Sequence, residues 1–261
     1  MSLWRRDRLR VVLTPEHTLV LRPAGARATS AATPPRQILD ALETVPAHRA
    51  LAECLASPPW RGCEADLVLS NRWVCYVLSE APGALLRPSE EQALAQARIC
   101  AVYGGQAQNW RISVHSQPPD AGILAAAVSS RRIQDVQSAL EQAGVVRYTV
   151  RPLLGVTVRA LRKRLRTGWW VVVEPGWWCL LKAEHGTWRH IRCQPCGEDW
   201  PEHLAAHLLR TQRLAGDSPV PAAVWVQPID CAAPQQLVYP PGWTGQLLLP
   251  PGKSQWDWDR I

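Results

Sequence analysis

Residues 85–154 read LLRPSEEQALAQARICAVYGGQAQNWRISVHSQPPDAGILAAAVSSRRIQDVQSALEQAGVVRYTVRPLL, and this stretch decides the fold. Ser89-Glu90-Glu91-Gln92 has the form of a capping box, in which the Ser oxygen accepts from the backbone at Gln92 and Gln92 reaches back. The helix it opens runs to Tyr103 and should stop at Gly104-Gly105, since glycine supplies the left-handed residue that ends helices. Trp110 to His115 and Ile123 to Ser129 read as strands, with Gln117-Pro118-Pro119-Asp120 turning the chain between them. Ser130 can cap the next helix. Its apolar positions Ile133, Val136 and Leu140 share one face, and Ala143-Gly144 ends it. Arg147 to Val150 is a third strand, closing on Arg151-Pro152-Leu153-Leu154. Alternation of strands and helices at these lengths is the mark of an α/β fold.

Working outward, Arg10 to Leu13 and Thr18 to Leu21 flank Thr14-Pro15-Glu16-His17 and read as a hairpin. Residues 23–36 are rich in Ala, Pro, Thr and Arg and read as a loop. Gln37 to Ala56 reads as helix divided by Pro46. Pro58-Pro59 breaks the chain. Asp66 to Leu78 is a long β-type run with Ser70-Asn71-Arg72 in its middle. Gly155 to Thr167 continues helical, and the division between halves falls near Thr167-Gly168, giving domains at 1–167 and 168–261. Beyond it, Trp169 to Glu174, Trp177 to Ala183 and Thr187 to Cys193 form a meander. Its turns are Pro175-Gly176, with the type II signature, and His185-Gly186. Asp199 caps a helix with Pro201 in its first turn, running to about Leu214. Ala222 to Gln227 is another strand, and the last thirty residues read as irregular. Each half thus has antiparallel strands first and strand–helix alternation after, with the second half the shorter copy.

This element order resembles the actin-like ATPase superfamily, two ribonuclease-H-like halves facing each other. Within it the chain resembles the type IV pilus protein PilM and the cytoplasmic part of the type II secretion protein GspL. The residues carrying the likeness are Ile123 to Ser129, Ile133 to Gly144 and Val150 to Leu154, with support from Asp66 to Leu78 and the Ser89 helix. The resemblance implies a two-lobed α/β fold with a truncated second lobe. It also implies a scaffold role at the inner face of the bacterial inner membrane, in a pilus or secretion assembly platform. The implied partners are an inner-membrane platform protein and a neighbouring assembly ATPase. The sequence has no run of about 18 apolar residues for a membrane span and no signal peptide pattern. The expectation is therefore a cytoplasmic chain like PilM, without the span of GspL.

The superfamily's nucleotide-binding members carry two phosphate loops, each a hairpin with an Asp and a Gly. Here the first hairpin has Thr14, Pro15 and Glu16, with neither residue and with a donor removed by the proline. The second has Glu174, Pro175 and Gly176, which keeps a carboxylate and a glycine but again places a proline. The glycine pair of the adenosine loop has no counterpart in Val238 to Gly252; Gly242 and Gly245 read as turn glycines. The expectation is a pseudo-ATPase with no catalytic residues and no cofactor. ATP binding is the alternative, with Glu174 standing in for the second Asp.

Composition constrains the rest. The 261 residues carry a net charge of +7, which permits an anionic partner without requiring one. Arg159, Arg162, Lys163 and Arg166 form one basic helix face, open to anionic lipid or, as a further alternative function, nucleic acid, although no nucleic-acid-binding module is recognisable and no such partner is expected. Cys193 and Cys196 with His203 and His207 are the set closest to a metal site, but the six residues between the pairs fall short of ordinary zinc-finger spacing, and no metal is expected. The eight cysteines read as free thiols, with Cys75, Cys100 and Cys179 as small core residues. Fourteen Trp and no Phe place the aromatic packing on indoles. The terminal Trp256-Asp257-Trp258 reads as either a packed strap or an exposed anchor.

Overall fold

A computed structural model describes residues 8–21, 36–40, 47–56, 62–161, 167–216 and 222–249. Residues 23–35, Arg162, Lys163, Arg166 and the 256–258 tail lie outside that set. The chain divides into two compact units. The first comprises 1–74 and 128–156; the second comprises 75–127 and 157–261. The division read from the sequence at Thr167-Gly168 keeps 75–127 with the first lobe, whereas these residues pack with the second unit.

In the first unit, β1 (Arg8–Leu13), β2 (His17–Leu21), β3 (Arg36–Asp40), β4 (Glu64–Leu69) and β8 (Arg147–Pro152) make a sheet of order β3-β2-β1-β4-β8. β1, β2 and β3 are antiparallel neighbours, while β1, β4 and β8 run parallel. Residues 36–40 are therefore a strand, not the first part of a helix. Five residues paired along β2 override a helical pattern that Pro46 had already cut short. The helix proper is α1 (Ala47–Ala56), which packs on α3 (Ser130–Gln142). Their buried faces are Ala50, Leu51, Cys54 and Leu55, and Val136, Ala139 and Leu140. Each such large side chain taken from water contributes about 1.5–3 kcal/mol. Gly144, at φ +76°, ends α3 in the left-handed conformation glycine favours.

The long apolar run 66–78 is two strands of different sheets. β4 ends at Leu69; Ser70 Oγ accepts from Arg72 N at 3.2 Å to start a single 3₁₀ turn, and β5 (Cys75–Leu78) follows. β5 opens an insertion in the β4-to-α3 crossover. It contains α2 (Pro88–Tyr103), β6 (Arg111–His115) and β7 (Leu124–Val128), with sheet order β5-β7-β6. α2 begins one residue before the expected start. Pro88 occupies its first turn, and Glu90 Oε2 accepts from Arg87 N at 2.7 Å in place of the Ser89–Gln92 box. Ala125 and Ala127 of β7 are small enough to let Ala95 and Ile99 of α2 settle on the sheet.

The second unit repeats the first. β9 (Gly168–Glu174), β10 (Trp177–Glu184), β11 (Thr187–Pro195), β12 (Ala223–Pro228) and β13 (Thr244–Leu247) form a sheet of order β11-β10-β9-β12-β13. The first three are antiparallel and β9, β12 and β13 parallel, the same order and sense as the first sheet. α5 (Trp200–Leu214) seats Trp200, Leu204 and Leu208 on Trp169, Val171, Val173, Trp178, Leu180, Val224 and Val226. Between β12 and β13 no helix forms. A strap takes its place, with Leu237, Tyr239 and Trp243 packed on the same core. That is where this lobe is truncated, and there the aromatic packing falls on indole and phenol: Trp243 stacks on Trp169 with ring centroids 6.4 Å apart. β13 itself lies within the tail that reads as irregular; Gly and Gln weaken its strand pattern, and it is held by pairing along β12.

The insertion covers the outer edge of β11. The Gln117 amide accepts from Trp188 N at 2.6 Å and donates to Trp188 O at 3.3 Å, imitating one rung of a ladder. Arg189 donates to Asp120 O at 2.7 Å. Covering part of an edge strand in this way blunts it against pairing with a foreign strand.

Candidate functional site

The two sheets present equivalent hairpins, and one hydrogen bond aligns them. Ser70 N, just past β4, donates to Leu13 O at 2.9 Å; Ile229 N, just past β12, donates to Val173 O at 2.7 Å. Leu13-Thr14-Pro15-Glu16-His17 therefore matches Val173-Glu174-Pro175-Gly176-Trp177 position for position. Both turns carry proline at their first corner, so both lack the same backbone donor.

In the first hairpin Thr14 and His17 bond to each other across the turn. Thr14 N donates to His17 O at 3.0 Å, His17 N donates to Thr14 Oγ1 at 3.0 Å, and that hydroxyl donates to His17 O at 3.1 Å. Glu16 is ion-paired with Arg72. Next to it, at the ends of β4 and β8, begins α4 (Leu153–Leu161), whose N-terminus is a natural seat for an anion. Part of that seat is taken: the wholly buried Asn71 accepts from Leu154 N through Oδ1 at 3.0 Å. The sequence shows Asn71 only as one of three polar residues in the middle of a single long β-type run.

The second hairpin keeps Glu174, buried to 3 % exposure, and Gly176, at φ +69°. Gly176 O accepts from Cys196 N at 3.1 Å, so β11 closes over the turn. Val173 O also receives the Cys231 thiol at 3.7 Å, and burial pushes that thiol up to about 12. The place equivalent to Ser70-Asn71 here is Ile229-Asp230, after Gln227-Pro228, with no glycine among them. Gly242, at φ +80°, is a turn residue. Gly245 lies in β13 under the Tyr239 ring, where an added Cβ would stand 2.0 Å from the ring. Both are accounted for by turn and packing, and neither belongs to a hairpin root.

The cysteine–histidine set is not brought together. Along β11 successive side chains alternate faces, so Cys193 points away from the face on which Gln194 meets α5. Gln194 Nε2 is 3.0 Å from His207 Nδ1, and the His207 ring stands edge-on to Trp178 at 4.7 Å. Burial, then the Arg210 charge, lower the His207 pKa. His203 Nε2 instead lies 2.9 Å from Asp199 Oδ2 on the exposed start of α5. Among the described residues no group of three His, Cys, Asp or Glu is placed to hold a metal ion. Of the basic face only Arg159 is described, and it is exposed on α4.

The buried charge of the first unit lies elsewhere. Asp66, in the middle of β4, receives Arg151 Nε at 2.9 Å and Thr149 Oγ1 at 2.9 Å on one oxygen, and Arg151 Nη2 on the other. Arg10 stands across β1 at 3.9 Å. With every near partner in the same sheet, this is a structural ion cluster.

The sequence matches no protein-family model, and a search of curated proteins finds nothing similar. Solved structures are similar in fold. A chain of the PilM-PilN type IV pilus biogenesis complex has a TM-score of 0.61 at 14 % identity, covering 86 % of this chain and 82 % of that one. The cytoplasmic domain of EpsL, an inner-membrane component of the Vibrio cholerae type II secretion system, has 0.57 at 11 %, covering 93 % and 89 %. A Bacteroides thetaiotaomicron protein with the actin-like ATPase fold and unknown function has 0.55 at 9 %, covering 87 % and 85 %. The fold is thus the actin-like one that the element order predicted.

Proposed function

We propose that this chain is a non-catalytic actin-like scaffold of a type IV pilus or type II-like secretion platform, working at the inner face of the inner membrane. In this reading it holds the cytoplasmic segment of an inner-membrane partner beside the assembly ATPase. The observation that carries the non-catalytic part is the doubled proline hairpin. The same donor is removed twice, Thr14 and His17 spend their groups on each other, and Asn71 takes one N–H of the adjoining helix terminus. The assembly part rests on the fold shared with PilM and the EpsL cytoplasmic domain. No described helix is long and apolar enough to cross a membrane; in this reading the partner carries the membrane attachment.

The test is binding between the purified chain and the cytoplasmic segment of the inner-membrane protein encoded beside it. A saturable one-to-one complex is expected. A cooperatively folding chain that binds no such segment would count against the assembly role. A second reading, a divergent ATP-binding protein, draws on the buried Glu174 beside Gly176. It requires nucleotide affinity or turnover that E174A reduces, and an unchanged E174A profile removes it.

A further inference from the structure

β10 and β11 place Cys179 directly opposite Cys193. The two neighbouring turns decide what kind of pair this is. Residues flanking a two-residue hairpin loop face each other as a hydrogen-bonded pair. Glu174 and Trp177 flank Pro175-Gly176, so Trp177 turns its backbone groups toward β9. Glu184 and Thr187 flank His185-Gly186, so Glu184 turns its groups toward β11. Alternation along β10 then sends every odd-numbered residue toward β9, and the two turns agree. Pro195, lacking an N–H, stands opposite Trp177, as this parity requires. Cys179–Cys193 is therefore a non-hydrogen-bonded pair, the kind whose Cα atoms approach to about 4.5 Å. A disulfide accepts Cα separations of about 4.4–6.8 Å.

Both are free thiols in this structure. Cys179 is wholly buried and Cys193 half-buried. Burial, then the adjacent Cys193, push the Cys179 thiol well up, and Cys193, the less buried of the two, is the member a reagent reaches first. Tyr103 of α2 lies near both Cys75 and Cys193.

We propose that Cys179 and Cys193 are a dithiol site that a disulfide oxidant, glutathione disulfide, converts to a cross-strand disulfide. Cys193 loses its proton and attacks one glutathione sulfur. The glutathione S–S bond breaks, and one glutathione leaves as a thiolate that takes up a proton. Cys179 then loses its proton and attacks the Cys193 sulfur, expelling the second glutathione thiolate, which is protonated in turn. Two electrons pass from the dithiol to glutathione disulfide, and no other reactant is needed.

The full chain, incubated with glutathione disulfide and alkylated before digestion without reductant, tests this. A Cys179–Cys193 linked peptide is expected, with both residues lost to alkylation together. C179S should stop at a Cys193–glutathione adduct, and C193S should leave Cys179 a thiol. A wild-type map in which Cys179 stays alkylatable on unfolding overturns the proposal, whether Cys193 is unmodified, glutathionylated or joined to Cys75. The wild-type map decides even where a variant fails to fold.

Discussion

At the scale of single residues, Asn71 and His207 carry consequences that measurement can reach. Asn71 Oδ1 supplies the acceptor for Leu154 N at a buried helix start. N71A leaves that N–H without its partner, which should lower stability by about 1–3 kcal/mol in urea titration. A loss below about 0.5 kcal/mol would mean that another group caps α4. His207 has its pKa lowered in the folded chain, so the unfolded chain binds more protons just below pH 6.5. Stability that comes from the neutral ring is present above that value and declines as pH falls through it toward the folded-state pKa. H207Q should flatten this part of the pH–stability curve, keeping the Gln194 contact possible. A wild-type slope retained in H207Q would assign the effect to other groups.

At the scale of elements, the edge of β11 and the short β13 test how the second unit is held. Q117A removes both side-chain bonds to the Trp188 backbone, so amide exchange at Trp188 should rise by an order of magnitude or more, with a stability loss of about 1–2 kcal/mol. Unchanged protection at Trp188 would show that the insertion is held without this rung. G245V should destabilise β13 by driving a side chain into Tyr239, and Y239A in the same chain should recover part of the loss; strictly additive effects would contradict the stacking. These are also the elements the sequence conceals. β1, β2, the β9–β11 meander, α3 and α5 announce themselves through turn residues and period. β3 is hidden because its five residues owe their state to β2, not to their own pattern. β13 is hidden because Gly245 and Gln246 carry no strand signal, and its order comes from β12 and the Tyr239 ring. α2 is legible from its length and its glycine stop, but with Pro88 in the first turn its N-terminal bond is made by Glu90.

At the scale of the whole molecule, two sheets of identical order record a duplication that residue identity does not show. Element order was enough to read this fold, because strand sense and turn chemistry survive where side chains drift. The candidate site was legible only in part. Pro15 and Pro175 could be read as lost donors, but their equivalence needs the paired Ser70–Leu13 and Ile229–Val173 bonds. The partly filled helix terminus at Asn71 depends on residues 83 positions apart and has no local signature. The cysteine–histidine spacing, by contrast, suggested a cluster that strand alternation separates. The central claim, that both hairpins are closed to nucleotide, is tested most directly by calorimetric titration of the purified chain with ATP and Mg²⁺, with thermal unfolding measured alongside. No saturable heat and no shift in Tm, from a chain that unfolds cooperatively, is the expected result; saturable binding with a matching rise in Tm would contradict it.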